Sequence, residues 1–165
     1  MQNRTEKIIQ LVSKNPGIRY SEIMRETGLK NGVLSHHLSK IEDSGKIIIE
    51  RTPRVARVYP CGTQQEEAQI IKSMRNPTMK KIITSLFDGQ LSFRQITEKT
   101  GKSQGTVSVY LKELTESQIV SRKLRNADLL FELANSDYVK EIITKHKTTL
   151  FERSADNISD IFSSI

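Results

Sequence analysis

Tryptophan is absent from the 165 residues and aromatics reach only 5 %, so neither an aromatic cage nor a broad stacking platform is expected. Cys61 is the single cysteine. That excludes a disulfide framework and a multi-thiolate metal site. Long apolar runs are missing too. The longest aliphatic stretch is Ile47-Ile48-Ile49, whereas a membrane helix needs roughly 20 apolar residues. The opening Met-Gln-Asn-Arg-Thr-Glu-Lys has no apolar stretch of a secretory signal. Together these absences predict an intracellular chain with no membrane partner.

Catalytic signatures are missing as well. There is no P-loop, no nucleophile elbow, no HExxH and no recognisable carboxylate pair. His36 and His37 are adjacent, so on a helix they point about 100° apart and cannot readily share a ligand. No enzyme activity, cofactor or metal is expected, and Cys61 reads as an inert connector residue.

What the chain has is positive charge, a net +7 with a pI near 9.6. Residues 1–60 hold 11 Lys/Arg against 6 Asp/Glu, residues 61–126 again 11 against 6, and residues 127–165 hold 4 against 7. Two equally basic units thus precede an acidic tail. Basic units suit a polyanion, because each cation near a phosphate releases condensed counterions.

The equal halves also share sequence. A shift of 73 positions aligns Ile23 with Ile96, Thr27-Gly28 with Thr100-Gly101, Gly32 with Gly105, Ser35 with Ser108, Leu38 with Leu111 and Ser44 with Ser117. Core type and turn type repeat together, so one supersecondary unit has been used twice.

In the first copy, Ile8, Ile9, Leu11 and Val12 predict a helix stopped by Asn15-Pro16-Gly17. A short strand is expected at Ile18-Arg19-Tyr20, then a helix capped by Ser21 and ended by Thr27-Gly28. A third helix, from about Lys30 to Asp43, carries Leu34, Leu38 and Ile41 on one stripe and is closed by Gly45. Lys46–Arg51 and Ala56–Tyr59 read as two strands around Pro53. The second copy repeats the order. Helices are expected around Met79–Phe87, from about Phe93 to Lys99, and after a Ser103 cap, followed by strands at Ile119–Lys123 and Leu129–Glu132. Three helices and a hairpin are the order of a winged helix-turn-helix. The expected fold is therefore mainly α with small β-hairpins (α+β). It comprises two tandem winged helix-turn-helix domains, 1–62 and 63–134 with a leading connector helix, plus a C-terminal helical segment, 135–165.

Leu34-Ser35-His36-His37-Leu38-Ser39-Lys40-Ile41, then Gly45-Lys46-Ile47, resembles the recognition helix and wing entry of ArsR-type regulators. Thr106–Leu114, then Ile119-Val120, resembles the same segment in MarR-like proteins. The paired arrangement is similar to archaeal tandem winged-helix transcription factors. The resemblance implies double-stranded DNA as partner, the third helix in the major groove and the wing on the backbone or minor groove. It also implies the transcription machinery as a further partner and a cytoplasmic, nucleoid-associated location. This chain departs from the pattern in three ways. Lys30 stands at a usual capping serine, Gln118 stands at a usual glycine, and the paired Cys or Cys/His ligands of metal sensors are missing.

Helical geometry selects the reading face without the family. With Leu34, Leu38 and Ile41 inward, Gly32, His36, Ser39, Lys40 and Asp43 point away. Asn31 and Val33 flank them at the helix N-terminus, where base edges are met, and Lys30 just before it is a further candidate. His36 and Asn31 suit bases, Ser35, Ser39 and Lys40 suit phosphates, and Gly32 allows close backbone approach. His37 is expected to pack or bond to backbone. In the second copy Gly105, Val109, Lys112, Glu113 and Glu116 face outward. Ser103, Gln104, Thr106, Ser108, Val109 and Lys112 are its candidates, although the two glutamates disfavour phosphates. Each hairpin adds three cations: Arg51, Arg54 and Arg57, then Arg122, Lys123 and Arg125. Arginines there suit phosphate forks or a narrow minor groove.

In the tail, Val139, Ile143, His146 and Leu150, then Phe151, Ala155, Ile158, Phe162 and Ile165, form an apolar stripe. It predicts a dimerisation helix or a helix folded onto its own chain. The rival to DNA binding is a protein-interaction scaffold, which Glu113 and Glu116 favour.

Overall fold

A computed structural model describes residues 3–152. The chain divides into two compact units after Ala68. In the first, Asn3 opens α1 (Arg4–Lys14) with a reciprocal capping box, its side chain accepting from the Thr5 N–H and its own N–H donating to Glu6. Gly17, at φ +77°, turns the chain into β1 (Ile18–Arg19). The second helix, α2 (Tyr20–Thr27), starts earlier than a Ser21 cap would allow. The reason is local: the Glu22 carboxylate accepts the Arg19 N–H at 2.8 Å, so the helix closes its own N-terminus from within and Tyr20 joins it rather than the strand.

After Gly28 comes α3 (Asn31–Asp43), with Lys30 as a cap residue that offers no side-chain hydrogen bond. The wing follows as β2 (Ile47–Arg51) and β3 (Ala56–Pro60). β1 joins the far edge of β3, giving an antiparallel sheet of order β1-β3-β2. Ile8, Val12, Ile18, Ile23, Leu34, Leu38, Ile41, Ile47 and Val58 form one buried cluster. Burying each such side chain contributes roughly 1.5–3 kcal/mol.

The division between units falls within α4 (Gln65–Met74). α5 (Pro77–Ser85) starts two residues before the expected Met79. Asn76 caps it, accepting from the Thr78 and Met79 N–H groups at 3.0 Å each, and Pro77 fills the first turn, where no donor is needed. β4 (Leu91–Ser92) was not legible in the sequence, being two residues long and defined only by its pairing with a distant strand. α6 (Phe93–Thr100), α7 (Gln104–Glu116), β5 (Val120–Arg125) and β6 (Asp128–Leu133) complete the second unit's sheet, of order β4-β6-β5. The repeat extends to register: Ile47↔Pro60, Ile49↔Val58 and Arg51↔Ala56 become Val120↔Leu133, Arg122↔Phe131 and Leu124↔Leu129. Each unit is a winged helix-turn-helix.

The tail begins with α8 (Ser136–Lys145), followed by a π-helical turn, Thr148–Glu152. Val139, Ile142, Ile143 and Leu150 are buried. Lys140 Nζ donates to the Phe87 carbonyl at 3.2 Å, and Lys80 Nζ to the Leu150 carbonyl at 2.6 Å. The described part of the tail therefore folds onto its own unit, and His146 stays half-exposed instead of joining the buried stripe. Ala155, Ile158, Phe162 and Ile165 lie outside the described residues. Among the described residues no helix is long and apolar enough to cross a membrane.

Gln118 occupies the position that Gly45 holds in the first unit, and both are left-handed, at φ 61° and 75°. A non-glycine residue there costs about 1–2 kcal/mol, partly offset by the greater freedom glycine has when unfolded. Gln118→Gly is expected to stabilise the chain by about 0.5–1 kcal/mol. A denaturant midpoint that fell instead would contradict this reading of the turn.

Candidate nucleic-acid interface

The outward face of α3 is set by its inward one. Leu34, Leu38 and Ile41 are 0–3 % exposed, which leaves Asn31, Gly32, Ser35, His36, Ser39, Lys40 and Asp43 in solvent. A Cβ placed on Gly32 would meet nothing within 4 Å. The glycine is not demanded by internal packing, and the space beside it is open. Tyr20 fixes the N-terminus of the helix: its hydroxyl donates toward Asn31 Oδ1 at 2.6 Å and the Asn31 carbonyl at 2.8 Å. The Asn31 amide group therefore keeps its donor side for an outside partner. His37 is half-buried, with Nδ1 3.5 Å from Thr5 Oγ1. It bonds to a side chain of α1 rather than to backbone.

The first wing gives its three arginines different surroundings. Arg51 is held by Glu42 in a two-pronged pair at 2.9 and 2.6 Å. The hydrogen bond from Arg51 lowers the Glu42 pKa, and the same bond raises that of Arg51. Being largely in solvent, the pair contributes roughly 0.5 kcal/mol. Arg57 is half-buried and donates to the Gly17 carbonyl at 2.9 Å. Desolvation, then the nearby Arg19 charge, lowers its pKa. Arg54 alone is at the tip, in a turn where the Thr52 N–H and hydroxyl both donate to the Val55 carbonyl, at 2.9 and 2.8 Å. A cleft of about 450 Å³ runs from that tip to the start of α2, lined by Arg54, Arg19 and Ser21 among others. The sequence reading missed Arg19 and Ser21. Their signal was the cation immediately before a helix N-terminus, a place where phosphates are well met.

The second unit repeats the geometry with different chemistry. Val107, Leu111 and Leu114 are buried, and Gly105, Val109, Lys112, Glu113 and Glu116 are exposed as expected, Val109 by 63 %. Ser103 accepts from the Thr106 N–H at 3.2 Å and donates to its hydroxyl at 2.9 Å. Both hydroxyl groups are thereby committed to the cap, while Gln104 and Ser108 remain exposed. Lys112 lies 4.0 Å from Glu116. In the wing, Lys123 is paired with Glu132, which also accepts from Gln90 at 2.7 Å. The Lys123 and Gln90 bonds lower the Glu132 pKa. Arg122 and Arg125 stay exposed. Asn126 and Ala127, both at positive φ, form the tip. Among the described residues no cluster of three or more His, Cys, Asp or Glu could hold a metal ion.

The class defined by this fold and these helices is the winged helix-turn-helix. Residues 76–122 match the family model described as bacterial regulatory protein, arsR family, and residues 1–48 match winged helix-turn-helix DNA-binding. The arsR-family model thus falls on the second copy, and the first copy, which carries Leu34–Ile41, matches the winged helix-turn-helix DNA-binding model. Among solved structures, HlyU from Vibrio cholerae is 21 % identical, covering 50 % of this chain and 89 % of its own, with a TM-score of 0.44. NolR from Sinorhizobium fredii is 22 % identical over 53 % and 85 %, at 0.45. The transcriptional repressor PagR of Bacillus anthracis is 23 % identical over 47 % and 90 %, at 0.42. No curated protein matches this chain.

Two outcomes follow. Gly32→Ala should fold normally and gain up to about 1 kcal/mol of helix stability; a lowered thermal midpoint would mean that the chain itself needs this glycine. Because the folded-state pKa of Glu42 is depressed, its pair stabilises above the ordinary carboxylate value and is lost as pH falls through the lowered one. Carboxyl NMR should place the Glu42 midpoint below 4.5, its ordinary value; Arg51→Gln should bring it back up.

Proposed function

We propose that this chain is a sequence-specific, double-stranded DNA-binding transcriptional regulator. In this reading the first unit reads bases from the major groove and the second adds affinity and site length, as in tandem winged-helix factors of archaeal type. The observation that supports it most is that the first unit carries both an exposed third-helix face and a cation-lined cleft, with Tyr20 lining the cleft and bonding to Asn31 of that helix. There the exposed α3 residues Asn31, His36, Ser39 and Lys40 belong to the same winged helix as a cleft lined by Arg19 and the tip residue Arg54. Asn31 and His36 can exchange hydrogen bonds with base edges, and Lys40, Arg19 and Arg54 can neutralise phosphates. Ser35 and Ser39 add neutral phosphate donors. Lys30, preceding the helix without a capping bond, is a further cation for the backbone.

The second unit has fewer free cations on its corresponding face. Glu113 and Glu116 stand beside Lys112, Lys123 is committed to Glu132, and Leu124 and Leu129 project from the wing, 75 and 46 % exposed. In this unit Val109 can meet a thymine methyl and Gln104 can read a base, while Arg122 and Arg125 serve the backbone. These acidic and apolar groups are also what favour the protein-interaction scaffold as the second reading.

A gel-shift titration over a salt series separates the two readings. DNA binding predicts a log–log slope of about −0.9 per phosphate neutralised; a flat response would favour the scaffold. Arg54→Ala should weaken specific and random duplexes alike, whereas His36→Ala should change preference between sequences by roughly 1–3 kcal/mol. Identical effects of the two variants on both duplexes would remove the base-reading role. The tail is proposed to add self-association through its residues after Glu152. Truncation there leaves the packed α8 intact and should lower the light-scattering mass; an unchanged mass would end the dimer reading.

A further inference from the structure

The 73-residue repeat places the same gap between third helix and wing in both units, and a paired side-chain bridge spans it in the first. In the first unit Arg51 reaches from β2 to Glu42 on α3 and closes the gap with its two-pronged pair. The matching positions in the second unit are Leu124 and Thr115, which cannot form that bridge. Tyr20, whose hydroxyl ties α2 to Asn31 in the first unit, becomes Phe93, which has no hydroxyl. Ile49, packed against the first core, becomes Arg122.

The result is an open cleft of about 390 Å³ between α6, α7 and β5–β6. Its floor is apolar: Phe93, Leu111 and Phe131. Its rim carries Lys112, Glu116 and Arg122. Lys112 is already offset by Glu116, 4.0 Å away, and among the described residues Arg122 has no carboxylate partner. The space falls within the range of small-molecule sites.

We propose that this cleft binds an amphipathic organic anion, a flat or short apolar body bearing one carboxylate. The body lies on Phe93, Leu111 and Phe131, and the carboxylate meets the Arg122 guanidinium, whose paired donors match carboxylate geometry. The apolar floor disfavours inorganic phosphate, and the uncompensated cation disfavours a neutral hydrocarbon. Because Ser108 and Lys112 border both the cleft and the exposed side of α7, an occupant withdraws them from DNA. That last step rests on the DNA-binding reading; occupancy does not.

The test uses the full chain without DNA, titrated with 1-naphthoate and followed by amide NMR. Saturable shifts confined to residues 93, 108–116, 120–124 and 129–131 are expected. Arg122→Gln, at an exposed position, should raise the Kd at least tenfold, the loss expected for a charge-assisted pair. The double variant Thr115→Glu with Leu124→Arg rebuilds the first unit's bridge and should abolish binding while its spectrum remains that of a folded chain. Unsaturable or scattered shifts would overturn the site. So would a Kd within twofold of the parent in Arg122→Gln, whether or not the double variant folds.

Discussion

Three apolar side chains on each third helix govern everything else. Leu34, Leu38 and Ile41 in α3, and Val107, Leu111 and Leu114 in α7, are buried in their unit's core. A helix has one face to spend, so fixing that stripe fixes which residues meet solvent. Losing one such leucine costs about 2–5 kcal/mol, a large part of what a unit of this size can hold. The exposed face of each third helix is thus specified by the core.

On that common scaffold the two units distribute charge differently. The first commits Arg51 to Glu42 and Arg57 to the Gly17 carbonyl, leaving Arg54 at the tip with Arg19 across a cleft. The second commits Lys123 to Glu132, leaves Arg122 and Arg125 outside, and carries Leu124 and Leu129 exposed on its wing. Identical register with different side chains yields one polar, latched surface and one open, amphipathic surface. A duplication of fold need not preserve the chemistry of its faces.

Much of this was legible in the sequence because periodicity and turn chemistry report burial directly. The stripe Leu34–Leu38–Ile41, the Ser103 cap and the glycine ends at Gly28 and Gly101 all took their expected places. What could not be read depended on partners distant in sequence. β4 exists through its pairing with Leu130 and Phe131. Arg57 looks like a wing cation until the carbonyl of Gly17, 40 residues earlier, accepts its hydrogen bond. The tail's stripe gave no sign that Lys80 and Lys140 would tie it to its own unit. Arg19 was passed over because a cation before a short helix has no meaning until the wing tip is beside it.

The central claim is that the exposed side of α3 and the tip of the first wing meet duplex DNA. Titrating a duplex that the protein selects from genomic fragments into the isotope-labelled chain, at moderate salt, tests it most directly. The account predicts amide and side-chain NMR shifts concentrated at residues 30–40, at Arg19 and at 52–55, with smaller changes along α7. Shifts absent from those positions, or centred on α1 and α8 instead, would contradict it.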